Sequence, residues 1–308
     1  MSFQVNTAFV QQYKSTVDFL LQQKGGRLAA TVMNDTFQGK AAKAVEQVGL
    51  VVPTKNLSRH ADTPLISTPH DSRWVYPNDY DWADLIDDED KLRMIIDPTS
   101  PYAQNAVNAM RRAQDEEILL AFFGTAKTGE NGTTSTTFPS GQIVAVNKGA
   151  SANVGLTVAK LREAKRLLLA AGVDIDNDPL YCAITSSEHD SLLNEAQAIS
   201  LDYNTRPVLV DGRITAFMGF NFVQCEFSDS TSYPTAGVAG GTGSLVNGSN
   251  QRLVPCWAKS GMLLGTWNDV QLSVDRRPDK RNSVQVYATG TFGATRLQEK
   301  KIVQILCA

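Results

Sequence analysis

The sequence predicts an α+β protein, with helices early in the chain and strands late. Three observations carry this. An overlong helical pattern ends at Gly124, and a second spans about 157–171. From Asn221 onward the pattern turns to short apolar or alternating runs of strand type. Helices followed by a block of strands indicate α+β rather than alternating α/β architecture. No internal repeat is visible.

The elements follow in order. Residues 1–35 read as an arm with a short helical stretch at Val17, Phe19, Leu20 and Leu21, stopped by Gly25-Gly26. Residues 36–96 carry Pro53, Pro64, Pro69, Pro77 and many charges, with few aliphatic runs. The segment is too long for an ordinary loop. A β-ribbon fits it, with strand pieces at Val48 to Val52 and Leu65 to Thr68 around a polar tip. Ser100 is placed as an N-cap and Pro101 as the first helical residue. The helix runs through Ala106, Met110, Ala113, Ile118, Leu120 and Phe123, roughly 36 Å of helix and about twice the usual length. Residues 124–155 read as loop. In the next helix Leu161, Ala164, Leu168 and Ala171 share a face and Gly172 caps the end. Thr185-x-x-Glu188 is a capping box for a third, short helix. Strands are expected at 221–227, 253–258, 262–267, 270–274, 283–288 and 302–307, with an exposed loop over 228–251. Val270, Leu272 and Val274 alternate with polar residues, as do Val284, Val286 and Ala288.

Composition excludes several function classes. The hydrophobic share of 42% and formal net charge of −3 are wrong for a disordered chain, and the acidity is wrong for a basic nucleic-acid-binding face. No apolar window reaches a membrane-spanning length, and Met1 to Gln12 lack the cationic and apolar segments of a secretory signal. Cys182, Cys225, Cys256 and Cys307 form no C-x-x-C pair and sit in apolar or alternating stretches. They read as reduced, buried thiols of a cytosolic protein. His60, His70 and His189 show no metal spacing with them. Catalytic templates fail too. There is no G-x-S-x-G or H-E-x-x-H, Gly39-Lys40 lacks the rest of a phosphate loop, and Gly240-Gly241-Thr242-Gly243 is low-complexity loop. We assign no catalytic residue, cofactor or metal.

Residues 74–90 stand out. Trp74, Tyr76, Tyr80 and Trp82 interleave with Asp79, Asp81 and Asp84, and Asp87-Asp88-Glu89-Asp90 follow. A calcium loop would need a central Gly that is missing. One reading is a solvated acidic turn with two aromatics in the local core. The other, which we prefer, is a contact between subunits. Each ring can bury roughly 150–250 Å², residues 36–73 offer little surface to bury it against, and an isolated ribbon is marginal in water. Charge supports docking: residues 71–97 have a net charge of −6, residues 275–301 of +4 and residues 1–70 of +3. The candidate contact residues are Trp74, Tyr76, Tyr80, Trp82, Asp84, Asp87, Asp88 and Asp90, opposed by Arg276, Arg277, Lys280 and Arg281.

These residues resemble a known family. Thr63-Pro64-Leu65-Ile66, Pro69-His70-Asp71, Arg73-Trp74, Asp79-Tyr80-Asp81-Trp82-Ala83-Asp84, Asp87-Asp88-Glu89-Asp90-Lys91 and Asp97-Pro98-Thr99-Ser100-Pro101-Tyr102 are similar to segments of tailed-bacteriophage major capsid proteins. The match is strongest over about 60–125. The resemblance implies the common tailed-phage shell fold: an N-terminal arm (1–35), an extended β-hairpin loop (36–96), a peripheral domain with a long spine helix (97–155 and 253–308) and an axial domain (156–252). It implies self-assembly into hexamers and pentamers of an icosahedral head enclosing double-stranded DNA, in the virion after assembly in the host cytoplasm. A portal and, in some relatives, decoration proteins would be partners. Only about 100 residues precede the spine helix, so a separate scaffolding protein is expected. Some relatives crosslink through Lys–Asn isopeptide bonds. Lys40, Lys43 and Lys55 lie in the loop, but no partner for them is identifiable. A cellular nanocompartment shell of the same fold and a soluble α+β hydrolase are the alternatives.

Overall fold

A computed structural model describes residues 25–55, 62, 65–86, 99–195, 209–210, 213–226 and 251–308. The architecture is mixed α+β, with three helices of eight or more residues and four sheets among these residues.

The first sheet has the order β1-β14-β15-β4. It combines β1 (Met33–Thr36), β14 (Met262–Arg277), β15 (Ser283–Arg296) and β4 (Asn78–Ile86). β1 runs parallel to β14, and the other pairs are antiparallel. The two strands expected at 262–267 and 270–274 are one strand, with register shifts between Thr266 and Asn268 and between Asn268 and Gln271. The strand expected at 283–288 continues to Arg296, because its alternation carries through Gly290 and Phe292. β14 and β15 form a long hairpin, roughly 45 Å by strand rise. Its turn holds Arg281 and Asn282 at φ +50° and +58°.

The second sheet is antiparallel throughout: β2 (Ala42–Val48), β3 (His70–Val75), β5 (Ala126–Thr128) and β6 (Thr134–Thr136). The expected ribbon exists, but its strand pieces lie nearer the body than 48–52 and 65–68. Pairing needs a partner backbone, and β2 and β3 find one where β5 continues the sheet. Residues 49–52 and 65–69 lie outside any strand, at the far end of the hairpin. The stretch read as loop over 124–155 contributes β5, β6 and β7 (Ile143–Val144).

The third sheet is mixed, in the order β11-β12-β8-β13-β16-β7. Its members are β8 (Leu180–Ile184), β11 (Ala216–Phe217), β12 (Phe220–Gln224), β13 (Arg252–Ala258) and β16 (Ile302–Cys307), with β7 at the edge. The pair β9 (Leu209–Val210) and β10 (Arg213–Ile214) completes the strands.

α1 (Thr99–Phe123) is the overlong helix; it already begins at Thr99, so Ser100 and Pro101, expected as N-cap and first helical residue, are the second and third residues of its first turn. Ala106 and Met110 pack on Ala288 beside Tyr80, Trp82 and Val270. Ile118, Leu119, Phe122 and Phe123 enter a core with Leu28, Trp257, Met262, Leu264 and Phe292. Its axis therefore lies against the first sheet at one end and the junction with the third at the other.

α2 (Val158–Ala170) starts at Thr157, whose side chain accepts from the Lys160 N–H. It ends in a paired closure: Gly172 (φ +81°) donates to Leu169 O at 2.9 Å and Val173 to Leu168 O at 3.2 Å. α3 (Ser186–Leu193) carries the expected capping box of Thr185 and Glu188. Both helices lie over the third sheet, where Leu161, Ala164, Leu168 and Leu192 join Cys182, Val254, Val303 and Ile305 in one core.

All four cysteines are buried thiols, none in a disulfide. Among the described residues no helix is long and apolar enough to cross a membrane, and no His, Cys, Asp or Glu cluster suits a metal. The helical stretch expected near Val17–Leu21 and the loop over 228–250 fall outside the described residues.

Candidate subunit interface

The aromatic candidates divide by the cover they find. Tyr80 points from β4 onto Phe292 of β15, ring centroids 4.8 Å apart and planes within 6°. Its hydroxyl donates to Glu117 of α1, which also accepts from Asn78 Nδ2 at 2.8 Å. Burial, reinforced by that carboxylate, pushes the Tyr80 phenol well above its usual range. Trp82 lies opposite Ala288 and packs on the cluster of Ala106, Met110 and Ala288. Trp74, on β3, is half-buried, and its indole N–H donates to Gly129 O at 2.7 Å. Tyr76 is 43% exposed and bonds Gly132 O at 3.3 Å. The carbonyl approach works because Gly132 has φ +67°. A Cβ there would meet Tyr76 Oη at 2.6 Å and Trp74 Cγ at 2.9 Å.

The sequence suggests rings short of cover. The structure supplies that cover from α1, β15 and the 129–132 turn, all distant in sequence. Local composition could not reveal it, since each partner lies at least 24 residues away. What the rings leave accessible is the face of Tyr76 and the outer side of β4.

The charged candidates are placed differently. Asp84 is half-buried, opposite Val286, and accepts the Leu85 N–H at 2.9 Å. Asp87, Asp88 and Asp90 lie outside the described residues. Arg276, Arg277, Lys280 and Arg281 are all exposed at the end of the β14–β15 hairpin. Arg277 bonds Asp279 at 2.9 and 3.0 Å and Gln285 at 2.9 Å. The basic stretch 275–301 is split by the length of β15: these four cations sit at the tip, whereas Arg296, Lys300 and Lys301 sit at the base.

Arg296 is fully buried and closes the end of α1, donating to Phe122 O at 3.0 Å and Thr136 O at 3.1 Å. Burial lowers its pKa to about 10, opposed by the Glu299 charge and assisted by Arg73. Arg73 in turn pairs with Glu299 at 2.7 Å and roots the β2–β3 hairpin on the 299–301 turn.

Among the described residues the most exposed large aliphatic side chains lie elsewhere. Leu50 is 92% and Leu65 99% exposed, and Val48, Val52 and Ile66 are exposed beside them. These residues cap the free end of the β2–β3 hairpin. Sequence reasoning placed strand pieces there without marking them as contact residues. The available signal was an aliphatic run, Val48, Leu50, Val51 and Val52, in a segment otherwise rich in Pro and charge.

A family model described as phage capsid protein matches residues 5–308. The head protein of Helicobacter pylori bacteriophage KHP40 superposes with a TM-score of 0.73 at 9% identity, covering 100% of this chain and 98% of that one. The capsid of cyanophage P-SCSP1u gives 0.72 at 16% identity, covering 100% and 95%. The cyanophage Pam1 capsid gives 0.70 at 13% identity, covering 100% and 98%. No curated protein sequence matches the chain. The match along nearly all of its length establishes that the chain belongs to the phage capsid protein family and is a major capsid protein, a building block of the phage head shell.

Proposed function

We propose that copies of this chain close into an icosahedral shell of hexamers and pentamers around double-stranded DNA. A separate scaffolding protein directs assembly in the host cytoplasm, a portal occupies one vertex, and decoration proteins are further candidate partners. The role is geometric, and no catalytic step is assigned to the chain.

The observation that carries this reading is the bare apolar end of the β2–β3 hairpin. A patch of large aliphatic side chains on a projecting hairpin marks a contact surface. Burying one such side chain is worth roughly 1.5–3 kcal/mol. Five together supply on the order of 10 kcal/mol, comparable with the ordering cost of an association. We assign the exposed Tyr76 face and the tip cations Arg276, Arg277, Lys280 and Arg281 to secondary contacts that set register, with the acidic 87–90 segment of another copy as the complement. The net charge of −3 supports enclosing DNA without gripping it.

The test is co-expression with the scaffolding protein, followed by sedimentation. Wild-type chain should pellet as particles. Leu50→Asp with Leu65→Asp should leave folded subunits in the supernatant. Particles from the double variant at wild-type yield would contradict the reading.

A further inference from the structure

The hairpin of β14 and β15 leaves one edge bare. β1 covers β14 only from Leu263 to Thr266. From Asn268 to Arg277 no described strand lies on that side. Sheet edges of soluble proteins are normally blunted by charged side chains, Lys above all, by Pro or by a bulge. This edge contains neither Lys nor Pro, its charges stand at the two ends as Asp269 and Asp275-Arg276-Arg277, and its register shifts fall before Gln271, which leaves Gln271 to Val274 regular and uncharged. Leu272 and Val274 are 42% and 46% exposed on it. Their ladder neighbours on the same face, Ala288 and Val286, are completely buried. The apolar layer of the sheet therefore runs out to the edge and stops uncovered.

The residues along this edge, Asp269-Val270-Gln271-Leu272-Ser273-Val274-Asp275-Arg276-Arg277, complement themselves when laid antiparallel about Ser273. Asp269 then faces Arg277 of the partner subunit, and the two-fold repeats that pair. Leu272 faces Val274 of the partner subunit, Gln271 faces Asp275 of the partner subunit, and Val270 faces Arg276 of the partner subunit, whose long side chain can carry its charge past the aliphatic group to solvent. A two-fold axis perpendicular to the sheet keeps the two faces distinct, so only registers centred on a residue are available. Centring on Leu272 sets Asp269 against Asp275 of the partner subunit. Centring on Val274 sets Gln271 against Arg277 of the partner subunit and forms no opposite-charge pair. Of the three registers only the one centred on Ser273 forms two Asp–Arg pairs with no like charges opposed, so charge selects it.

We propose that residues 269–277 of β14 pair antiparallel with the same residues of a second copy, fusing two sheets across a two-fold axis of the shell. This rests on the shell reading above and adds a contact which that reading does not specify. Unpaired backbone groups supply the ladder, Leu272 and Val274 extend the apolar layer, and Asp269 with Arg277 fixes the register. Arg277 already bonds Asp279 and Gln285. An exposed pair of that kind holds little energy, so sharing the guanidinium with Asp269 is easily accommodated.

The experiment uses assembled particles of the full chain carrying Gln271→Cys, Ser273→Cys or Asp275→Cys, treated with a short bis-maleimide. The native cysteines are buried and stay silent. The pairing sets position 273 opposite itself at about 5 Å between Cβ atoms. It separates positions 271 and 275 from their own copies by roughly 13 Å. Ser273→Cys particles should give mostly covalent dimer on a denaturing gel, and the flanking variants at least tenfold less. Asp269→Arg should lower particle yield, and Asp269→Arg with Arg277→Asp should restore it. Intact particles without dimer at 273, equal dimer at all three positions, or no rescue by the charge swap would overturn the pairing and leave the shell reading standing. Failure of the wild-type chain to form particles would remove both.

Discussion

Arg296 donates from Nη1 to the carbonyl oxygen of Phe122 at 3.0 Å, so a residue of β15 finishes the C-terminus of α1 174 positions earlier in the chain. The same guanidinium reaches the carbonyls of Ala121, Gly124 and Thr136. Carbonyls at a helix end have no partner within the helix and need one from outside. One planar, charged fork supplies three of them at once and the Thr136 carbonyl of β6 as well. Arg296→Met keeps the volume but removes every donor. It should destabilise the isolated subunit by about 3 kcal/mol or more, since each buried carbonyl left bare costs roughly 1–3 kcal/mol. Urea unfolding followed by circular dichroism checks this. A loss under about 1 kcal/mol would mean that water replaces the guanidinium.

Asp115 of α1 is fully buried and accepts three main-chain N–H groups, from Gly26 at 2.8 Å, Arg27 at 3.1 Å and Leu28 at 3.0 Å. It ties the chain to the middle of the helix just where the described residues begin. Gly25 fits there only without a side chain, because a Cβ would come within 2.2 Å of the Arg112 backbone nitrogen. Asp115→Ala and Gly25→Val should both release this segment. Limited trypsin digestion should then cleave at Arg27 at least tenfold faster than in the wild type. Unchanged cleavage would show that the burial of Leu28 alone holds it.

Trp82 and the hairpin tip should behave oppositely. Trp82 packs on Ala106, Met110 and Ala288 within the chain, so Trp82→Ala should destabilise the isolated subunit by about 2–4 kcal/mol. Arg276→Glu with Arg277→Glu should change subunit stability by less than about 0.5 kcal/mol while slowing assembly, most strongly at low salt. Thermal midpoints and light-scattering assembly kinetics separate the two. A stable Trp82→Ala subunit that fails to assemble would return that ring to the subunit contact.

Tyr80 carries a pH signature. Its phenol is raised by burial and then by hydrogen bonding and charge from Glu117. The folded state therefore holds the proton at pH values where the unfolded chain, with a pKa of about 10, has lost it. This contribution to stability is fully present below pH ~10 and is lost as pH climbs from there toward the folded pKa. The phenolate difference titration, wild type minus Tyr80→Phe, should show no ionisation near pH 10 and should rise only above it. A normal titration near pH 10 would contradict the buried contact.

Local signals explain what was legible. The start of α1 was marked to within about a residue by Ser100-Pro101 and its end by Gly124, α2 by the spacing of Leu161, Ala164 and Leu168 and by Gly172, and α3 by Thr185 and Glu188, because such signals act within a few residues of themselves. Alternation marked β15 through Val284, Val286 and Ala288. Cross-chain pairing was not legible. Nothing near Tyr80 or Trp82 signals that β15, about 210 residues later, covers them. Arg296 looked like surface charge because its helix end lies far away in sequence. The apolar hairpin end was visible as the strand piece read at Val48 to Val52, but its significance came only when the sheet stopped short of it.

The most direct test is an electron cryomicroscopy map of particles grown from the wild-type chain with its scaffolding protein. The prediction is a closed shell in which Leu50 and Leu65 of each copy are buried against another copy. Closed particles with that hairpin end standing free in solvent, or no particles at all, would contradict it.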